Sequence, residues 1–262
     1  LTLGLAILMI FFLGFYGSLN VLTYRPVRFQ CRKFVEGIYQ WVQCEEAEAC
    51  MNVNKNRYRV IHSDFFSVTE KFELYCDKKD LLYLMTNVIM FFSPLSCFIF
   101  GYMADFVGRR KALFLLIPIG LVGFLLSYFG NEFTLFLVGN CCLCSFLQSM
   151  VMLLYLYVNE ILGRKLRSVS VALLSLSYAL GEIVFLGFYD FMTSYKQVYL
   201  AQGICIIICI PIIRFLRESP FYLANTKQFR KLSKMLKKIM ETNFKNNTVG
   251  ITRWRPRSGQ KK

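Results

Sequence analysis

Residues 101–111 read GYMADFVGRRK. The stretch follows an uncharged run, Leu81–Ala104, and precedes another, Ala112–Gly130. A helix needs about 20 apolar residues to cross a bilayer, so each run is long enough to span one. The stretch between them is then a very short loop, in which Arg109, Arg110 and Lys111 outnumber the single acid, Asp105. Basic residues in short loops mark the cytoplasmic side, and once this loop is placed every other segment has a side.

Working outward, uncharged or nearly uncharged runs predict six spans, at 1–24, 81–104, 112–130, 133–159, 168–189 and 197–213. Segment 25–80 becomes an extracellular, cysteine-bearing loop. Residues 105–111 and 160–167 become cytoplasmic loops, and 214–262 a basic cytoplasmic tail. Both termini then lie in the cytosol. The first span should end near Asn20, ahead of Arg25-Pro26, because the residue before a proline disfavours helix. Gly4, Gly14 and Gly17 offer close helix contacts along it. Pro94 should bend the second span, and the sixth should end near Pro211. In the tail, Phe229, Leu232, Leu236 and Ile239 recur at helical spacing. That predicts an amphipathic helix at about 228–241, on the anionic inner leaflet or against the base of the bundle.

The chain has 262 residues, 56% of them hydrophobic, and a net charge of +15. A soluble domain of this size does not repeat uncharged runs of such length, so the sequence excludes soluble α/β packing. In a soluble protein the charge would suggest nucleic-acid binding. Here the inside segments 105–111, 160–167 and 214–262 carry +2, +2 and +12, while 25–80 carries +1. Topology absorbs the imbalance, so the lipid bilayer is the expected partner and nucleic acid is not. The chain opens on Leu1, and 1–24 is too long and uniform for a signal peptide; it reads as a true span that lacks its start.

Cys31, Cys44, Cys50 and Cys76 share the outer loop, where disulfides persist; three pairings are open. The other six cysteines fall in spans and read as small buried apolar groups. His62 is the only histidine. No metal site, cofactor or enzyme constellation is expected.

Function should then reside in charges at membrane boundaries. Gly101 and Gly108 would let helices approach at the turn. Asp105, Arg109, Arg110, Glu160, Arg167 and Glu218 share the cytoplasmic edge, and opposite charges at the feet of helices can form a breakable clamp. The alternative is that the cations only set topology. Glu182 differs, because it lies within a span, where a carboxylate faces a cavity or a partner. Tyr178 precedes it by one helical turn, and Gln148 and Tyr155 share a face of the fourth span. These four are candidates for a substrate cavity; a packing role stays open for each.

Several stretches also resemble a known family. GYMADFVGRR (101–110), flanked by two spans, closely resembles the signature loop of the major facilitator superfamily. SVTE (67–70), LYCD (74–77) and the large cysteine-bearing loop are similar to its organic cation/anion transporter branch. EILGRKLR (160–167), ESP (218–220) and the stretch from Leu236 to Asn243 resemble the motifs after helices four and six. The resemblance implies an all-α membrane protein, a major facilitator-like six-helix bundle corresponding to the N-terminal half only. It implies a polyspecific plasma-membrane carrier of small organic ions, working by alternating access between two six-helix halves. Helices one, two, four and five would line half of the cavity. The C-terminal six-helix half, or an equivalent, would be a required partner, so the chain reads as a fragment or as a half that pairs. Phe221 and Tyr222 stand where the family typically has Arg then Trp, which removes one latch cation. A sugar or proton-coupled symporter on the same scaffold is the first alternative. A non-transporting receptor or assembly partner using its outer loop is the second.

Overall fold

The computed structural model describes residues 2–17, 24, 27–35, 38–51, 58–61, 65–162, 166–189 and 191–243. Five of its helices are long and apolar enough to cross a membrane: α4 (Lys79–Val107), α5 (Arg109–Phe129), α6 (Phe133–Ile161), α7 (Arg167–Tyr189) and α8 (Tyr195–Phe215). A sixth apolar helix, α1 (Thr2–Gly14), packs among them. The result is an all-α membrane bundle.

The bundle is built around α6, which packs against α4, α5, α1 and α7. Its buried side includes Phe136, Leu143, Phe146, Met150, Leu153 and Tyr157, spaced by three, four and seven residues as one helical face requires. Two further pairs close the ring, α1 on α7 and α5 on α8. By contrast α4 leaves Phe91, Phe98, Tyr102 and Phe106 each more than 60% exposed. Such a face belongs against hydrocarbon or another helix rather than water.

The expected end of the first span, near Asn20, lies outside the described residues. The α-helical pattern of α1 stops at Gly14, and Phe15, Tyr16 and Gly17 continue it with tighter i→i−3 backbone hydrogen bonds. Residues 18–23 lie outside the described residues. Here α1 approaches α7 closely. A Cβ at Gly14 would strike the carbonyl oxygen of Tyr178, and one at Gly181 that of Phe11. Backbone thus meets backbone, the arrangement small residues permit between membrane helices. Gly4 meets nothing within 4 Å, so the close contact expected there is absent.

Loop boundaries also move inward. Asp105 belongs to α4 and Arg109 opens α5, so the expected loop 105–111 shrinks to Gly108 alone. Gly108 has φ 104°, a conformation side-chain-bearing residues rarely adopt, and this lets one residue reverse the chain. Helix α6 likewise runs through Glu160 to Ile161, and α8 runs through Pro211 to Phe215. Prolines inside α4, α5 and α8 leave each helix continuous. Near Pro94, Ser96 Oγ donates to the carbonyls of Ser93 (2.7 Å) and Ser145 (3.3 Å), while Ser149 Oγ donates to Ser96 Oγ (3.1 Å). Those bonds join α4 to α6.

Segment 27–78 forms a small subdomain. Strands β1 (Arg28–Val35), β2 (Ile38–Cys44) and β3 (Tyr58–Ile61) make an antiparallel sheet ordered β2-β1-β3, with Phe29 opposite Cys44 and Val60. Its core is Phe29, Cys31 and Ala49, packed by Tyr58 and Tyr75. Ala49 lies on the short helix α2 (Glu46–Met51). So small a core needs staples. Disulfides join Cys31 to Cys44 and Cys50 to Cys76, and Lys79 Nζ reaches Glu46 Oε2 at 2.6 Å.

Helix α3 (Val68–Lys71) is capped by Ser67 Oγ, which accepts from Glu70 N at 3.2 Å, and it carries the link to the bundle. Lys71 Nζ donates to Gly130 O at 2.6 Å and sits 4.7 Å from the Phe72 ring and 5.3 Å from that of Tyr195. Burial and the nearby Lys196 hold the Lys71 ammonium below its ordinary value of 10.5. The protonated form is therefore disfavoured by folding. This residue's contribution to stability should rise as pH climbs from the lowered value toward 10.5. Replacing Lys71 with Met should remove that alkaline gain, read as the shift in melting temperature between neutral and alkaline pH in detergent.

A second compact unit, residues 220–262, contains α9 (Pro220–Asn225) and α10 (Phe229–Asn243). Pro220 opens α9, the helix position that tolerates a missing N–H.

Candidate functional site

The site is assembled where α4 hands over to α5. Because Gly108 turns the chain in one step, Arg109 sits at the first helical position of α5, and its side chain is folded inward at 7% exposure. Each nitrogen of its guanidinium finds an acceptor. Nη1 donates to Ala104 O (2.9 Å), a carbonyl near the C-terminus of α4 where positive charge is favourable. Nε and Nη2 donate to the Glu160 carboxylate at 2.7–3.1 Å. Nη2 also meets Asp105 Oδ1 at 2.8 Å. The two acids are not equivalent: the Glu160 side chain is 16% exposed and that of Asp105 63%. A desolvated, two-pronged Arg–carboxylate contact is the strong kind, and an exposed i,i+4 pair is worth about 0.2–1 kcal/mol.

The segment after α8 adds two groups. Ser219 Oγ donates to Glu160 Oε2, so the carboxylate is held from two sides. Glu218 Oε1 accepts from Arg110 N at 3.1 Å. Gly108, the N-cap of α5, has no side chain to satisfy that amide, and Glu218 supplies the cap from more than 100 residues away. Arg110 Nη2 returns a hydrogen bond to Arg214 O at 2.7 Å, and Tyr157 Oη donates to Arg217 O at 2.7 Å. One end of the bundle thus gathers the termini of α4, α5, α6 and α8 into a single ionic knot.

Of the boundary residues expected to cluster, Asp105, Arg109, Arg110, Glu160 and Glu218 do so. Arg167 does not. It lies exposed at the start of α7, and among the described residues its side chain meets no acid. The preceding turn, 163–165, lies outside the described residues. Gly101 meets nothing within 4 Å and is not a contact between helices, because it sits on the open face of α4. Ser219 and Tyr157 are additions that charge-based reading passed over, since neither is ionised.

The cavity candidates form a separate polar stripe within the bundle. Tyr155 Oη and Ser175 Oγ are 2.9 Å apart, bridging α6 and α7. Tyr178 lies one turn beyond Ser175, within electrostatic reach of both Tyr155 and Glu182. Glu182 is half-buried against the turn after α1, where a Cβ on Gly17 would overlap its carboxylate. Gln148 is exposed on α6, seven residues before Tyr155 on the same face. The strongest buried polar pair is elsewhere: Tyr199 Oη donates to Asn140 Oδ1 at 2.7 Å between α8 and α6.

The chain matches the sequence model of the family described as "Sugar (and other) transporter" over residues 4–251. It is 27% identical to solute carrier family 22 member 3 of Rattus norvegicus over 197 residues, which is 72% of this chain and 34% of that protein. With solute carrier family 22 member 16 of Mus musculus it shares 28% identity over 170 residues, 63% of this chain and 25% of the relative. With the beta-alanine transporter of Drosophila melanogaster it shares 22% over 177 residues, 68% and 29% respectively. The chain spans between a quarter and about a third of the length of these curated relatives.

Proposed function

The chain belongs to the sugar (and other) transporter family of the major facilitator superfamily, and from that premise we propose that it forms half of an alternating-access carrier for small organic ions, cation-like in preference. Membership places it among multi-pass membrane transporters rather than enzymes. The ionic knot is the observation that carries the reading. Arg109 is buried, shared between two acids, and ties the start of α5 to the ends of α4 and α6, which is more constraint than a topology signal needs.

In this proposal the knot lies at the cytoplasmic end and braces the inner gate, while Glu182, Tyr155, Tyr178 and Gln148 face the substrate path. A second six-helix half encloses the midplane site. The intramembrane carboxylate of Glu182 supplies the counter-charge to a cation, and the Tyr178 ring offers a π face beside it. Both termini are cytosolic and the membrane is the plasma membrane. A sugar or other proton-coupled carrier is the second reading. Glu182 itself favours it, because a lone carboxyl among apolar helices can carry a proton.

Uptake separates the two, measured on a version that includes a second half, with tetraethylammonium and a labelled hexose at two pH values. Glu182→Gln should reduce tetraethylammonium uptake at least tenfold while leaving expression and melting temperature unchanged. Retained cation uptake would remove Glu182 from the substrate path. Hexose uptake that depends on pH would favour the second reading. For the knot, Asp105→Asn should weaken transport only mildly; wild-type uptake and inner-gate labelling in Arg109→Met would remove its gating role.

A further inference from the structure

Helix α10, Phe229–Asn243, reads FRKLSKMLKKIMETN. At 100° per residue Phe229, Leu232, Met235 and Leu236 fall on one face, and Arg230, Lys231, Lys234 and Lys237 on the other. All four of those cations are exposed. So is much of the apolar stripe, with Phe229 at 63% and Leu236 at 42% exposure. An apolar face left open beside a cationic one must be covered in the cell by something apolar below and negatively charged at its rim.

We propose that α10 lies on the membrane surface and docks onto anionic phospholipid, with its apolar stripe at the acyl boundary and its cations among the headgroups. The inference rests on the cytosolic placement of segment 214–262 given above. Charge decides the occupant. The sequence stretches 105–111 and 160–167 are themselves net basic, and the acids Glu160 and Glu218 are already engaged by Arg109, Ser219 and the amide of Arg110. A cationic helix is drawn to an anionic leaflet. Location points the same way. The span α8 ends at Phe215 and α10 begins at Phe229, so the chain itself tethers α10 to a membrane-spanning helix. Segment 214–262 holds fourteen basic and two acidic residues, so its remainder adds to the same attraction.

Each lysine near an anionic surface strengthens partitioning about fivefold at low salt, an effect that salt screens. The test uses the full chain in nanodiscs of phosphatidylcholine alone and of phosphatidylcholine mixed with phosphatidylserine. Amide hydrogen exchange across 229–243 is the readout. Exchange should slow in the phosphatidylserine discs and recover in high salt. The Lys231→Glu, Lys234→Glu, Lys237→Glu triple variant should lose that protection, and the Lys→Arg triple variant should keep it. Exchange equal in the two lipids, or protection insensitive to salt and to charge reversal, would overturn the proposal. Nanodiscs present anionic lipid on both faces, so a wrong sidedness of the chain would not by itself cause a negative result. Sidedness is read separately by impermeant labelling in cells.

Discussion

Replacing Arg109 with Ala will cost about 3 kcal/mol of stability, because it strands a carboxylate rather than removing a contact. Glu160 has 16% of its side chain exposed, and its main cationic partner is the guanidinium that meets it at 2.7–3.1 Å. Without it, only the Ser219 hydroxyl remains on that carboxylate among the described contacts. The Ala104 carbonyl near the end of α4 would lose its side-chain donor as well. Arg109→Lys should recover part of the loss, since an ammonium keeps the charge but cannot make the paired contact. Removing both ends, as Arg109→Met with Glu160→Gln, should be milder than Arg109→Ala alone. Thermal melting of the purified chain in detergent, run as a double-mutant cycle, measures the coupling. Equal losses for Arg109→Ala and Asp105→Asn would contradict the ranking. Asp105 is 63% exposed, and its neutralisation should cost less than about 1 kcal/mol.

Substitution of Gly181 should be the more damaging change in the bundle interior. An added Cβ would collide with the Phe11 carbonyl oxygen, and the Gly14 Cα lies 3.2 Å away. These are backbone atoms, so no rotamer change can relieve the overlap; α1 would have to move off α7. Overpacking a tight core costs about 1–3 kcal/mol even where side chains can adjust. Gly181→Ala should fall at the top of that range, and Gly181→Leu should fail to give a monodisperse chain on size-exclusion chromatography. Gly187, on the same helix, has nothing within 4 Å. Gly187→Ala should be neutral or slightly stabilising, since alanine favours helix over glycine. A similar response at the two positions would mean that the close α1–α7 approach is not what holds the pair together.

These two sites differ in how far they could be read from residues alone. Arg109 was conspicuous: a cation between two uncharged runs has few places to go. Its partner was not. Glu160 lies 51 residues on, and Asp105, four residues away, is the nearer acid along the chain. Local spacing favours Asp105, whereas the crossing of α5 against α6 brings Glu160 to the buried side and leaves Asp105 at the rim. Arg167 carried the same charge signal at the same membrane edge, yet α7 starts with it facing outward. Gly14 and Gly17 were visible as small residues in an apolar run, but so was Gly4, which touches nothing. Which glycine matters depends on the helix that arrives opposite it.

What the sequence determined alone is the membrane class and the rough spans, because the bilayer tests length and charge one segment at a time. The basic edges of the spans and the amphipathic pattern of 229–243 follow from the same local rules. Tertiary structure decided the rest: the single-residue turn at Gly108, the three-stranded sheet in 28–61, the pairing of Cys31 with Cys44 and Cys50 with Cys76, and the choice of Glu160 over Asp105. Each of these depends on groups far apart in the chain, whose meeting is set by how whole helices and strands pack and not by any spacing along the backbone.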